Sequence, residues 1–247
     1  MGWETTAMSG VPPSAHAGAL LEIDLDAIAA NYDLLRVRHP SGPVAAVVKA
    51  DGYGLGAAPV AARLFRAGCR HFFVAHLDEA LAIRALVPGA LLAVLNGLLP
   101  GTEDIFVQHQ ISPVLGSLEE IFCWSARARH AGKKLPALLH VDTGMSRLGL
   151  DSSAVATLAS DKSLLAGIDL QYVMTHLVSS EIPNDARNAR QKEIFDSACA
   201  MLPAAPAKNS RRCCMWTPAC PASAWILPPL PHWQSTSRCS PESICNM

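Results

Sequence analysis

Lys49 closes the apolar run Val44-Ala45-Ala46-Val47-Val48 and opens Ala50-Asp51-Gly52-Tyr53-Gly54-Leu55-Gly56. A strand that delivers a lysine into a glycine-rich loop sets an amine where a phosphate-bearing aldehyde could be held. Such an amine forms Schiff bases, and burial lowers its pKa so that it can also serve as a base. Two further clusters follow apolar runs in the same way: Asp142-Thr143-Gly144-Met145-Ser146-Arg147-Leu148-Gly149, and Thr175-His176. Each has a plainer reading. A lysine at a strand end is usually a solvated rim charge, Arg147 a surface charge between turn glycines, and His176 a hydrogen-bonded structural histidine. Gly52, Gly54 and Gly56 also suit a dinucleotide loop, although G-x-G-x-G with Lys49 and Asp51 against it departs from that motif's spacing.

The elements that must position these residues alternate along the chain. Short, continuous apolar runs predict strands at Val44–Lys49, His71–Ala75, Leu91–Leu95, Ile111–Leu115, Ala137–Val141 and Leu170–Thr175, each buried on both faces. Between them lie helical patterns. Pro59 suits a first turn, with Val60, Leu64 and Phe65 on one face and Gly68 as the stop. Asp78 can cap a helix that Pro88-Gly89 ends, and Ser117-Leu118-Glu119-Glu120 is a capping box. A last helix, Asp185–Met201, is expected to bury Ile194, Ala198 and Met201. Six β/α units in a row predict a parallel sheet, either doubly wound or a (β/α)₈ barrel, and a barrel sets its chemistry at the strand C-termini. Ahead of them, Leu21–Leu25 alternates as a half-exposed strand would and runs into a helix with Leu25, Ile28, Tyr32 and Leu35 on one face.

Half of the 247 residues are apolar and the net charge is −1, which favours neither nucleic acid nor a charged surface as partner. No apolar stretch approaches the ~20 residues needed to span a bilayer. Residues 1–17 have no basic start and no apolar run, so they read as a disordered extension rather than a signal peptide, and a cytoplasmic protein is expected. After Ala207 the composition changes. Residues 208–247 hold five Cys, six Pro, six Ser and three Trp, half of that segment, with no periodicity. A metal- or disulfide-stapled tail is one reading, although Cys214-x5-Cys220 and Cys239-x5-Cys245 are not common zinc spacings and no metal site is expected. The other is an out-of-frame or artefactual ending, with 208–247 lacking regular structure.

Taken together the clusters are far more specific than singly. Ala46-Val47-Val48-Lys49-Ala50-Asp51-Gly52-Tyr53-Gly54 resembles the cofactor-lysine motif of alanine racemases. Val141–Gly149 resembles that family's second signature, Met174-Thr175-His176 its third, and Glu22–Ile28 its opening strand and helix. The resemblance spans roughly residues 20–206 in collinear order.

It implies a family fold of a (β/α)₈ barrel followed by a mostly β domain, working as a homodimer. Residues 18–207 would then be an incomplete barrel, about six of eight units, lacking the C-terminal β domain. The implied activity is interconversion of L- and D-alanine with pyridoxal 5′-phosphate, providing D-alanine for peptidoglycan. By motif, Lys49 would carry the cofactor as a Schiff base and accept the proton of D-alanine. Tyr53 would lie near the cofactor phosphate, Arg147 near its phenolic oxygen and the substrate carboxylate, and His176 beside its ring. The family's opposing tyrosine has no counterpart among Tyr32, Tyr53 and Tyr172, and His140 stands where many members carry a lysine that props the arginine. Six strands alone would leave two barrel edges unpaired, so the chain is expected to be inactive and poorly folded. The alternative is a non-catalytic barrel that binds the same cofactor.

Overall fold

The computed structural model describes residues 21–40, 42–182 and 184–202, and the backbone of 212–215 and 224–225. Six parallel strands carry the expected β/α units: β1 Val44–Val47, β2 His71–Val74, β3 Leu91–Val94, β4 Ser112–Leu115, β5 Leu135–His140 and β6 Ile168–His176. Around them run α1 Leu25–Arg38, α3 Ala57–Arg66, α4 Leu77–Ile83, α5 Glu103–Gln108, α6 Leu118–His130, α7 Ser152–Ser160 and α8 Ala186–Met201. The short stretch α2, Lys49–Tyr53, belongs to the site described below.

Strand side chains alternate between two cores, as the period of two requires. Ala45, Phe73, Ala93, Val114, Leu138, Tyr172 and Met174 form one buried cluster, which fills the lumen. Their neighbours Val44, Ala46, Phe72, Leu92, Leu115, Leu139 and Val173 pack outward against the helices in a second, larger cluster. Continued toward the strand C-termini, the lumen series runs Ala45-Val47-Lys49, Leu138-His140 and Met174-His176. Three chemistry-bearing residues therefore reach the same mouth for the reason that makes their predecessors apolar.

The sheet edges differ from the expectation. Two short strands, β7 Arg212–Met215 and β8 Ala224–Trp225, join β6 to β1 and close the barrel. β7 runs parallel to β6, whereas β8 is antiparallel to both β7 and β1. The direction of β8 has a simple cause. Only residues 216–223 separate it from β7, fewer than the dozen or so that a parallel crossover needs, so the chain returns as a hairpin. A backbone ladder needs no side-chain periodicity, so these strands left no pattern to read. The rest of 208–247, and residues 1–17, lie outside the described residues.

Three local expectations are also corrected. Leu21–Asp24 is not a strand, because Asp24 caps α1 instead, its carboxylate accepting from the amides of Asp26 and Ala27 at 2.8 and 2.9 Å. In α4 the glutamate at position 79 caps, not Asp78: the His76 amide donates to Glu79 Oε2 at 3.1 Å. In α8 the buried face is Gln191, Phe195 and Ala198, while Ile194 and Met201 are 38% and 46% exposed. Ala198 is buried as expected, and Gln191 is polar yet buried because its amide is fully engaged, which turns Ile194 and Met201 outward.

Candidate active site

Beyond Val48 the chain makes one left-handed helical turn. Ala50, Asp51, Gly52 and Tyr53 have φ of 52°, 50°, 66° and 58°. For an L-residue this conformation costs on the order of 1–2 kcal/mol, so it persists only where bonds over-determine it. They do so here. Gly52 N donates to Val48 O at 3.0 Å, Gly54 N to Ala50 O at 3.1 Å and Gly56 N to Asp51 O at 2.8 Å. Asp51 Oδ1 accepts from Ala57 N at 2.7 Å, which ties the turn to the start of α3. The turn leaves Lys49 half-buried at the mouth, with Nζ 6.0 Å from the centre of the Tyr53 ring.

The second cluster is a loop folded about one carboxylate. Asp142 Oδ1 accepts from the amides of Gly144, Met145 and Ser146 at 2.9, 3.0 and 3.1 Å. The ends of the loop are joined by Asp142 N to Leu150 O and Leu150 N to His140 O, at 2.9 and 2.8 Å. Arg147 stands exposed on this loop. Beneath it, buried Thr143 and Thr175 share a hydrogen bond of 2.8 Å, and Gln191 Nε2 donates to Thr143 Oγ1 at 3.0 Å and His176 O at 2.9 Å. Gln191 Oε1 accepts from Val178 N at 2.8 Å. Helix α8 thus locks the second cluster to the third.

The charges of the three clusters act on one another. Burial lowers the Lys49 pKa, the Arg147 guanidinium lowers it further, and Glu79 opposes them. His176 is lowered by burial and by the charges of Arg147 and Lys49, against a hydrogen bond with Leu177 O at 2.9 Å. That bond makes Nδ1 the donor and leaves Nε2 with the lone pair in the neutral ring. His140 is pushed down to about 4 by burial and by His176. Burial raises the phenol of half-exposed Tyr53. Lys49, Tyr53, Arg147 and His176 are thus gathered at one barrel mouth. A cavity of about 600 Å³ lies at the opposite end, against Tyr32, Arg36, Arg70 and His71, and does not include them.

These residues suit pyridoxal 5′-phosphate: an amine of lowered pKa ends a strand, beside a guanidinium for an anionic oxygen. The family model for the N-terminal domain of alanine racemase matches residues 23–224. The chain belongs to this family. Over 192 residues it is 50% identical to the alanine racemase of Brucella ovis, covering 77% of this chain and 48% of the relative. Over 183 residues it is 51% identical to that of Acidiphilium cryptum, covering 74% and 51%. The fold is similar to the crystal structure of alanine racemase from Bartonella henselae with covalently bound pyridoxal phosphate, with a TM-score of 0.73 and 36% identity over 78% of this chain and 55% of that one. The chain thus spans about half the length of the relatives it matches.

Three residues of the site escaped the reading from sequence: Glu79, Asp142 as the loop's anchor, and Gln191. His76-x-x-Glu79 has the spacing of a capping box without its Ser or Thr, which was the available signal for Glu79. Asp142 heads an Asp-Thr-Gly turn, where a short carboxylate bonds the amides ahead of it. Gln191 left no local signal, since its partners lie 13 to 48 positions away.

Proposed function

We propose that this chain is the cofactor-binding barrel of an alanine racemase, holding pyridoxal 5′-phosphate on Lys49 and acting on alanine. The observation that carries the reading is the half-buried Lys49 amine, lowered in pKa and set beside Arg147 and His176 at the barrel mouth. When bound, the cofactor supplies an electron sink that acidifies the Cα–H bond of an amino acid. Lys49 Nζ would hold it and, once free, take or return a proton at one face of Cα. Arg147 would draw anionic oxygens of the cofactor and of the substrate carboxylate. Tyr53 would border the phosphate, and His176, neutral near pH 7, would flank the ring without adding a third positive charge.

Inverting a stereocentre needs a proton carrier on each face. Of the three tyrosines, Tyr32 and Tyr172 are buried away from the mouth, and Tyr53 sits on the lysine's own loop. We therefore infer that none of this sequence's tyrosines is the second carrier, and that these 247 residues alone do not turn over alanine. Cytoplasmic D-alanine supply for peptidoglycan is part of the same proposal. Incubation with the cofactor followed by borohydride should label Lys49 and no other lysine, as read by peptide mass spectrometry. An unlabelled Lys49 in folded protein overturns the reading. Racemisation of L-alanine by the purified chain, absent in Lys49→Ala, would overturn the expectation that it is inactive.

A further inference from the structure

The Lys49 loop makes one contact that neither its own backbone nor the neighbouring helix supplies. Ala50 N, the first amide after the lysine, donates to Glu79 Oε1 at 2.6 Å. The other carboxylate oxygen, Oε2, accepts from Ala75 N at 2.6 Å and His76 N at 3.1 Å. One half-buried side chain on α4 therefore bridges the end of β1 to the end of β2. Hydrogen bonds of this kind, to an ionised acceptor, are roughly twice as strong as neutral ones. We propose that Glu79 is the positioning residue of Lys49, fixing the direction in which the lysine leaves β1 and supplying the counter-charge of its ammonium form.

Among the described residues the same device recurs, away from the lysine. Glu120 Oε1 accepts from Leu98 N at 3.0 Å, and Oε2 from Gly116 N at 2.6 Å and Ser117 N at 3.1 Å. Both glutamates sit at the third position of a helix and join their own strand end to the preceding β/α loop. Only the Glu79 bridge ends beside a chemistry-bearing side chain. The charged groups acting on Lys49 are Glu79 from α4 and Arg147 from the 142–149 loop, and Lys49 in turn bears on His176 from β6. Burial chiefly, and then Arg147, disfavour the ammonium, and Glu79 opposes them.

This inference rests on Lys49 being the cofactor lysine, and its test separates the two. In the full chain without cofactor, the Lys49 pKa is read from the pH dependence of trace acylation by acetic anhydride, resolved by peptide mass spectrometry. Glu79→Gln should lower it further, as expected for loss of an opposing charge. Glu120→Gln removes the equivalent bridge and should leave it unmoved. A Lys49 pKa that is the same in wild type, Glu79→Gln and Glu120→Gln overturns the proposal. Glu79→Asp keeps the charge but draws the carboxylate back, so amide exchange at Ala50 should quicken about tenfold with the loss of roughly 1.4 kcal/mol of protection. If Glu79→Gln does not fold, that exchange decides, and an unchanged Ala50 rate refutes the bridge. Failure of borohydride labelling in wild type would sink the cofactor reading while leaving both measurements intact.

Discussion

At Gly149 the backbone has a φ of 111°, and a Cβ there would lie 2.7 Å from Asp142 N and 3.0 Å from Val141 C. Both neighbours are backbone atoms of the loop that carries Arg147, so neither can yield cheaply. Gly149→Ala should destabilise the chain by about 2 kcal/mol or more, seen as a lower midpoint of urea unfolding. His140 supplies a second prediction. In the folded state its pKa is pushed from 6.5 down to about 4, chiefly by burial and then by His176. Between those values the unfolded chain binds more protons, so stability rises with pH across the window and the loss is complete below about 4. Acidification from pH 7 to 4 should remove up to about 3 kcal/mol through this group. Denaturant titrations of His140→Gln should show a shallower pH dependence in that window, and an unchanged slope would refute the assignment.

At the scale of elements, the six parallel strands and most helices were legible because burial on both faces writes continuous apolar runs. Where a polar side chain decided the outcome, the reading failed. Leu21–Asp24 carries an alternating pattern, but Asp24 bonds two amides ahead of it and starts α1. Lys49, Arg147 and His176 were legible as candidates because each ends or follows an apolar run, whereas Gln191 was not, since only the fold brings it beneath them. The capping box of α6 was readable because both partners are local: Glu120 N donates to Ser117 Oγ at 3.1 Å, and Ser117 N to Glu120 Oε2. Ser117→Ala should therefore cost about 1 kcal/mol. Ser117→Asp, which can still cap, should recover most of it in the same thermal melts.

For the whole molecule the question is how a barrel with six β/α units avoids open edges. β6 is joined to β7 through the pairs from Val173 with Arg212 to His176 with Met215, and β1 to β8 through Val44 with Trp225 and Ala45 with Ala224. Both site-bearing edge strands thus owe one of their two ladders to a segment whose composition gave no hint of it. Unpaired amides on either edge would be open to solvent or to another chain's edge. In the closed barrel, amide exchange over Val44–Val47 and Val173–His176 should be slow and similar to that of central β3. A chain ended after Leu202 should exchange faster at β1 and β6 first, with β3 less affected, and should associate with rising concentration as its free edges pair. Lys49 and His176 sit at the ends of those two strands, so borohydride labelling of Lys49 by the cofactor should fall in the shortened chain as well. Equal exchange at β1, β3 and β6 in the two chains would show that the closing strands contribute nothing, and that the six-stranded sheet holds the mouth in shape by itself.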